Sequence, residues 1–389
     1  MHFITLLPLG LAGLASAQMS LTQVLASQNS TLSTLNSLLA TQPQLAAMLA
    51  SAKDITLLAP SNAAFAKFVE EPANQMAASD PATLMGVLQY HVLQTTVPAS
   101  GFTTTMQFLP TMLGATTSNS SMNTMNMTTM MSDVTGGQVV GGVVMGEKVE
   151  LMSGLKSMST VQTADIMFTG GVMHIIDTVL TVPSPPSTSA LDSQLTALAG
   201  ALKSANLLTA VDDLKDVTIF APSNKAFQNI GSATPMLTEQ QLSGILEYHV
   251  INGTVGYSSL LTTGLANESF PTLAGGNVMV EAVNGKVFIN SAMVTITDII
   301  VSNGVLHVID NVLNPANSTA MPNPTATQQA VAFAGAAAAS NVPFTSGIIA
   351  PTTAASASTS KAGAGRARES GVGAVGVVAL FGMMGAAIL

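Results

Sequence analysis

The stretch "APSNAAF", Ala59 to Phe65, recurs as "APSNKAF", Ala221 to Phe227, with a single substitution. A repeat of this kind indicates either a duplicated functional motif or a duplicated folding unit. Each heptad follows a β-rich run that stops at its proline, which cannot donate to a sheet. The next two residues, serine and asparagine, can accept from the free N–H groups of a first helical turn. The heptad is therefore predicted to be a strand-to-helix corner, with Phe65 and Phe227 in the core.

Two further segments repeat in the same order along the chain. "YHVL" at Tyr90 is matched by "YHVI" at Tyr248, and "GGVMHIIDTVL" at Gly170 is matched by "NGVLHVIDNVL" at Asn303. The offset between the copies falls from 162 to 158 to 133. The falling offset means that the first copy carries extra residues, mostly between Val92 and Asp165.

These motifs divide the chain into two domains joined by the short proline-rich linker 183–186. Domain 1 is predicted over 18–182, with a Met/Thr/Asn-rich insertion at about 105–133, and domain 2 over 187–315. Helical spacing of leucines opens each domain, and β-branched apolar residues dominate the last repeated segment, which indicates a strand covered on both faces.

Capping residues in the sequence also predict where two helices begin. Thr238 and Gln241 have the spacing of a capping box. In the first copy, Asp80 and Pro81 offer an N-cap followed by proline at the first helical position. Both signals predict a helix that leads to the Tyr-His pair.

Together the three motifs resemble the fasciclin domain family, whose signature combines a box such as "TIFAPSNKAF", a Tyr-His pair and a box such as "GVLHVIDNVL". Both copies carry all three in order, so the resemblance spans 18–315. It implies two tandem domains of the α/β (α+β) class, each a β-sheet wedge or sandwich with helices packed around it. It also implies a role at cell surfaces or in extracellular matrix, commonly adhesion.

Composition excludes several classes of protein. With 11 basic against 20 acidic residues and a net charge of −9, the chain lacks the clustered Lys and Arg that phosphate backbones require, so nucleic acid is not an expected partner. The sequence contains no cysteine, which rules out disulfides and thiolate metal sites. Each domain must therefore be large enough to bury its own core.

The N-terminus predicts entry into the secretory pathway. Residues 1–17 run from an apolar stretch to the small residues Ala15, Ser16 and Ala17, as a cleaved signal peptide does. Sequons for N-glycosylation agree with this route, because glycans are added to surface asparagines of translocated chains. The predicted glycosylation sites are Asn29, Asn119, Asn126, Asn252, Asn267 and Asn317.

The C-terminal part is predicted to be a tether. Residues 316–370 are rich in Ser, Thr and Ala and read as a disordered stalk. The uncharged apolar run 371–389 follows a short polar spacer, the pattern of a glycosylphosphatidylinositol (GPI) signal with Gly363 as the predicted attachment residue. The alternative is a retained membrane span, since 19 residues are just enough, which would make this an endomembrane or vacuolar protein. A lipid-anchored member with such a stalk resembles the fungal and plant branches of the family.

The repeated polar residues are interpreted as structural. The four matching histidines lie among apolar residues without a third ligand at metal spacing, so hydrogen-bonded core histidines are expected rather than a metal or acid–base site; they are His91, His249, His174 and His307. Ser61 and Ser223 stand where an N-cap is needed and lack a nucleophile-elbow context. No catalytic residue, metal or cofactor is predicted, and the protein is expected not to be an enzyme.

Resemblance to animal family members suggests where a binding surface would lie, because an Asp-Ile segment and the Tyr-His region are linked there to integrin binding. Core packing is the alternative interpretation of the same positions. The candidate contact residues are Tyr90, His91, Asp165, Ile166, Tyr248, His249, Asp298 and Ile299.

The predicted function is adhesion or binding of cell wall or matrix at the cell surface. The expected partners are protein or glycan ligands, with a second copy of the chain among them, and the membrane is reached through the lipid anchor. A different class of function is kept open by "SMNTMNMTTMM", Ser121 to Met131, where five of eleven residues are methionine. Thioethers can bind Cu(I), so a copper-binding surface protein is the alternative.

Overall fold

The computed structural model describes residues 18–71, 74–75, 79–114 and 132–351. Two domains follow each other along the chain, and each contains a seven-stranded sheet with helices. The predicted signal peptide, the methionine-rich segment, Asn119, Asn126, Gly363 and the C-terminal tail lie outside the described residues. Among those that are described, helices long and apolar enough for a membrane span were not found.

Domain 1 contains five described helices and seven strands. Its helices are α1 (Leu21–Ser27), α2 (Asn29–Thr41), α3 (Pro43–Ser51), α4 (Asn62–Phe68) and α5 (Pro81–Tyr90). Its strands are β1 (Ile55–Pro60), β2 (Val92–Leu93), β3 (Gln107–Pro110), β4 (Val139–Met145), β5 (Lys148–Met152), β6 (Met158–Phe168) and β7 (Gly171–Ile176).

Domain 2 repeats the pattern. Its helices are α6 (Pro186–Asp192), α7 (Thr196–Ser204), α8 (Leu208–Asp212), α9 (Asn224–Asn229), α10 (Glu239–Glu247) and α11 (Ser258–Leu261). Its strands are β8 (Val217–Pro222), β9 (Val250–Ile251), β10 (Glu268–Pro271), β11 (Asn277–Val283), β12 (Lys286–Ile289), β13 (Ala292–Val301) and β14 (Gly304–Ile309). Single 3-10 turns occur at Ala99–Gly101, Gly154–Lys156, Thr234–Met236 and Pro315–Asn317.

The two sheets have the same topology. Strand order is β2-β1-β7-β6-β5-β4-β3 in domain 1 and β9-β8-β14-β13-β12-β11-β10 in domain 2. The heptad strand pairs in parallel with the last strand, Ile55 opposite Gly171 and Val217 opposite Gly304, and the remaining pairs are antiparallel. The first and third repeated motifs are thus neighbouring strands at the centre of each domain.

The heptad forms the predicted strand-to-helix corner. The side chains of Ser61 and Ser223 cap the following helix by accepting from the N–H groups of Ala64 and Ala226. Phe65 and Phe227 are buried behind the corner, as expected. The predicted capping box at Thr238 and the N-cap at Asp80 are also confirmed.

The asparagine of each heptad has a further role that local patterns did not reveal. The amide of Asn62 accepts from the N–H of Thr34 at 2.9 Å and donates to the carbonyl of Ser30 at 3.1 Å. Asn224 makes the same two bonds, both at 2.9 Å, to Ala197 and Gln194. Each asparagine therefore fastens an earlier helix, α2 in domain 1 and α7 in domain 2, to the corner.

Both faces of each sheet are covered. Along β1, Leu57 packs into the cluster beneath the helices, and Leu58 packs into a second cluster on the other face. Ile219 and Phe220 divide in the same way in domain 2. All six residues of β14 are buried, which agrees with the expectation of a strand covered on both sides.

Most of the extra residues of domain 1 enter at one point of the sheet, and a few more lengthen the connection between β5 and β6. The N–H of Thr272 closes a short loop by donating to Gly276, whereas the N–H of Thr111, its counterpart, donates to Gln138. The insertion therefore lies between 111 and 138, later than the predicted start at about 105, because β3 belongs to the shared sheet.

The structure differs from the predicted stalk over residues 316–351, which are described and fold back onto domain 2. Within this stretch, residues 330–351 form what we call the C-terminal strap. Asn311 and Asn314 donate to the carbonyls of Ala330 and Ala332 at 2.6 and 3.1 Å. The ring of Phe344 meets that of Phe227 edge-on, with centroids 5.8 Å apart. Partly buried apolar residues of the strap, among them Val331, Phe333 and Val342, also pack against the core of domain 2.

Two glycines let the strap approach the helices of domain 2. A Cβ atom on Gly200 would lie 1.7 Å from the carbonyl oxygen of Phe344, and one on Gly231 would lie 2.3 Å from the Cβ of Ala339. The residue of domain 1 equivalent to Gly200 is Ser37, because each lies three residues after the residue whose N–H the heptad asparagine binds. The residue equivalent to Gly231 is Val69, because each lies four residues after the phenylalanine of its heptad. The close approach is thus specific to domain 2.

Whether a glycine-to-alanine substitution raises or lowers the free energy of unfolding tests this packing. In an uncovered helix, Gly200→Ala would stabilise the protein by up to about 1 kcal/mol. Beneath the strap we expect a destabilisation of about 1–3 kcal/mol, because the added methyl group overlaps the Phe344 carbonyl. Denaturant unfolding of the full chain measures the sign, and Ser37→Ala at the exposed counterpart in domain 1 is the control. A stabilised Gly200→Ala protein would mean that the strap does not cover this helix.

Candidate functional site

The Tyr-His tyrosines are internal fasteners. Tyr90 and Tyr248 are fully buried. The hydroxyl of Tyr90 donates to the carbonyl of Val139 at 2.8 Å, and that of Tyr248 donates to the carbonyl of Asn277 at 2.6 Å. Each phenol thereby ties the C-terminal end of a helix, α5 or α10, to the first residue of a strand, β4 or β11. Neither hydroxyl is available to a partner.

Both ring nitrogens of the adjacent histidines, His91 and His249, are hydrogen-bonded to backbone groups. Leu180 and Leu313 donate their N–H groups to Nε2 of these rings at 2.9 Å. Nε2 is thus the acceptor, so Nδ1 carries the proton and donates to the helix carbonyl four residues earlier at 2.7 Å. Burial lowers the pKa of both histidines from 6.5 to about 4. Each neutral ring joins a helix end to the segment that follows the last strand.

His174 and His307 use the opposite tautomer. Their Nδ1 atoms accept from the N–H groups of Asp165 and Asp298 at 3.1 and 3.2 Å. Their Nε2 atoms lie 2.8 Å from backbone carbonyls, to which they donate. Burial lowers the pKa of both rings. Within the described part of the chain, no cluster of three or more His, Asp or Glu residues is placed to hold a metal ion.

The aspartates of the two Asp-Ile segments shape a bulge. Asp165 and Asp298 adopt left-handed backbone angles, with φ of 59° and 60°, where the pairing of β6 or β13 shifts register. Their carboxylates accept from the N–H groups of Ala99 and Ser258 at 2.8 and 2.7 Å. These aspartates therefore cap the segments that begin at Ala99 and Ser258.

The candidate contact residues do not form one surface. Tyr90, His91, Tyr248, His249, Asp298 and Ile299 are buried, Ile166 is half-buried against the core, and Asp165 is exposed. The equivalent segments of the two domains thus differ in exposure although their internal bonds are the same. The cause lies in the contact between the domains.

Domain 1 covers the Asp-Ile strand of domain 2. The 3-10 turn Gly154–Lys156 packs against β13, and Lys156 Nζ donates to the carbonyl of Thr297 at 2.6 Å. Burial lowers the pKa of Lys156, and the nearby carboxylate of Asp298 opposes that shift. Two successive non-glycine residues of the turn, Leu155 and Lys156, have left-handed φ of 56° and 58°.

The rest of the junction combines polar and aromatic contacts. Gln138 Nε2 donates to the carbonyl of Val301 at 3.0 Å, and the N–H of Thr135 donates to Asp216 Oδ1 at 2.6 Å. The rings of Phe108 and Tyr257 stack with centroids 4.1 Å apart and planes 12° apart. Sequence reasoning missed this junction because its residues are far apart in the chain and share no motif.

Acid should weaken the fold through its histidines. A histidine with a pKa of about 4 in the folded state and 6.5 unfolded stabilises the fold fully above 6.5 and loses that contribution as pH falls toward 4. His249→Ala also leaves the buried N–H of Leu313 without its acceptor. We therefore expect the free energy of unfolding to fall by about 2–4 kcal/mol at neutral pH. We further expect its stability to change less between neutral and acidic pH than that of the wild type. Circular dichroism melts across this range measure both effects.

The control for this experiment is the same melt series with His91→Ala, whose ring makes the same bonds in domain 1. A His249→Ala protein that is folded and as stable as the wild type but no longer adheres would contradict the structural role. It would make the imidazole a binding group.

Comparisons with known proteins agree with this geometry. The sequence profile of the fasciclin domain matches residues 30–183 and 193–315. A fasciclin-like arabinogalactan protein of Arthroderma benhamiae is 36% identical over 323 residues, covering 82% of this chain and 73% of the relative. The fasciclin-like arabinogalactan protein elcF of Phaeosphaeria nodorum is 27% identical and covers 74% and 86%.

More distant matches include animal proteins and one solved structure. Human periostin is 30% identical over 153 residues, 38% of this chain and 18% of periostin. The FAS1 domain pair of the insect cell adhesion molecule Fasciclin I is 20% identical, with a TM-score of 0.34 over 68% of this chain and 90% of that one. With two profile matches over most of its length and a fungal relative that shares both domains, the chain belongs to the fasciclin domain family.

Proposed function

We propose that this protein is a non-enzymatic adhesion protein of the cell surface, held by a lipid anchor, which binds cell-wall or matrix ligands through an exposed strand of domain 1. The observation that carries the proposal is the use of the repeated polar side chains. In both copies the repeated tyrosine, histidine and aspartate side chains make hydrogen bonds within their own domain. We therefore assign the activity to recognition by the outer surface.

The exposed strand is the middle of β6, where Asp165, Ile166 and Met167 lie next to each other. Met167 is 52% exposed, whereas its counterpart Ile300 is completely buried in the apolar cluster at the domain junction. The same position of the fold therefore already serves as a contact surface in domain 2. The exposed side chains of Met167 and Asp165 are the part of domain 1 that we assign to a protein or glycan ligand.

The described sequons support display outside the cell. Asn29, Asn252, Asn267 and Asn317 are all exposed, as glycan addition requires. Asn317 also donates to the carbonyl of Ala332 in the strap at 3.2 Å, so a glycan there would sit where the strap begins. Display of many copies on one surface would raise avidity through effective concentration, even if each contact is weak.

The anchor rests on sequence. The small residues around Gly363 and the apolar run 371–389 have the composition of a GPI signal. The strap places Pro351, the last described residue, against domain 2, where its carbonyl accepts from Gln194 Nε2 at 2.9 Å. The tether would then start at the helical side of that domain.

The contact surface can be tested with two matched methionines. We expect Met167→Lys to reduce attachment of cells displaying the full chain by about tenfold, as loss of a central contact of more than 1 kcal/mol would. Attachment is counted on particles of insoluble β-glucan, on chitin and on cells that display the same chain. Met145→Lys is the control, because Met145 in the same domain is also 52% exposed. Equal attachment by the two variants would reject β6 as the contact.

The anchor can be tested by enzymatic release. Phosphatidylinositol-specific phospholipase should free the protein from intact cells, because a GPI-anchored chain is held only by its lipid. The released fraction is measured by immunoblot, with a known membrane-spanning protein as the control that stays behind. Retention after complete digestion, with Leu389 still detectable by mass spectrometry, would instead support a membrane span.

A further inference from the structure

An open groove of about 670 Å³ runs along the junction between the two domains. Domain 1 contributes Phe108, Val134 and Val139 to its walls, and domain 2 contributes Val255, Tyr257 and Leu260. Ligand sites of proteins commonly have this size and often lie between domains. The candidate contact residues discussed above are not part of this lining, so the groove is separate from the β6 surface.

The charges around the groove argue against an acidic ligand. Asp216 is the single ionisable carboxylate among the lining residues, and no basic side chain is among them. Both carboxylate oxygens of Asp216 already accept from Thr135, one from its N–H and one from its hydroxyl. Lys215, the next residue, pairs outside the lining with Asp133 at 3.4 Å and is well exposed. An anion would therefore meet repulsion without a compensating cation.

Aromatic rings and unused hydroxyls define what would fit. The stacked rings of Phe108 and Tyr257 form a flat wall with one ring from each domain, and Phe108 remains half-exposed. The hydroxyl of Tyr257 is buried without a hydrogen-bond partner, which costs free energy unless a ligand or water supplies one. Ser259, on α11, also lines the groove. A flat aromatic ligand can extend the stack, and a hydroxyl group on that ligand can bond to the polar groups of Tyr257 or Ser259.

We propose that the interdomain groove binds a small, uncharged aromatic molecule that carries a hydroxyl group. The ligand would contact both domains at once, through the ring of Phe108 on one side and α11 on the other. Binding would therefore require the assembled pair of domains. The proposal does not depend on the adhesion function and would stand if the β6 surface were rejected.

Photo-crosslinking of the full chain with 4-hydroxybenzophenone tests the proposal. This probe is an uncharged aromatic phenol at slightly acidic pH, and on irradiation its ketone adds across a nearby C–H bond. We expect saturable labelling on peptides that contain residues 134–139 and 255–260, competed by 4-phenylphenol. Phe108→Ala should weaken binding by about tenfold, which corresponds to loss of one stacked aromatic contact.

Matched tryptophan variants separate the groove from general surface stickiness. Leu260→Trp places an indole in the groove from a side chain that is 42% exposed, and should abolish labelling. Leu273→Trp changes a leucine of similar exposure, 39%, outside the lining and should label like the wild type. Melting curves of both variants confirm that they are folded. Labelling that is scattered over the surface, or that survives both Phe108→Ala and Leu260→Trp, would overturn the proposal.

Discussion

The two bonds made by the heptad asparagine hold each domain together. Asn62 and Asn224 reach back about thirty residues along the chain to an earlier helix and fasten it to the corner. That strand pairs in parallel with the last strand of its domain, so the first and last segments meet beside the corner. The amide suits this place because its oxygen accepts one bond while its nitrogen donates the other. The serine beside it already caps the next helix.

Much of the fold was predictable because its signals are local and occur twice. The corner, the helix caps at Asp80 and Thr238 and the covered last strand all follow from neighbouring residues. The structural role of the histidines was also foreseen, although their two opposite tautomers require knowledge of which N–H points at each ring. The strap was missed because its few apolar residues are diluted by alanine and serine. Its fit depends on Gly200, more than a hundred residues earlier.

Duplication followed by contact explains why the two domains differ. Asp165 and Asp298 cap the same loop in the same backbone conformation. The domain 2 residue is buried by Lys156 and the turn before it, and the domain 1 residue faces solvent. Pairwise motif matching cannot reveal this, because exposure here is set by the neighbouring domain rather than by the strand itself. One copy's outer surface became an internal surface, and the other copy kept its own free.

The strap also determines how mechanical force would enter the molecule. A pull on the chain beyond Pro351 acts first on the bond to Gln194, then on the packing of Phe344, and reaches the bond between Asn311 and Ala330 last. Contacts arranged in series along an extended segment break one after another at low force, whereas the parallel pairing of β8 and β14 would have to break all at once. The strap would thus unpeel before domain 2 unfolds. The chain that follows domain 2 would then lengthen under load while the sheet stays intact.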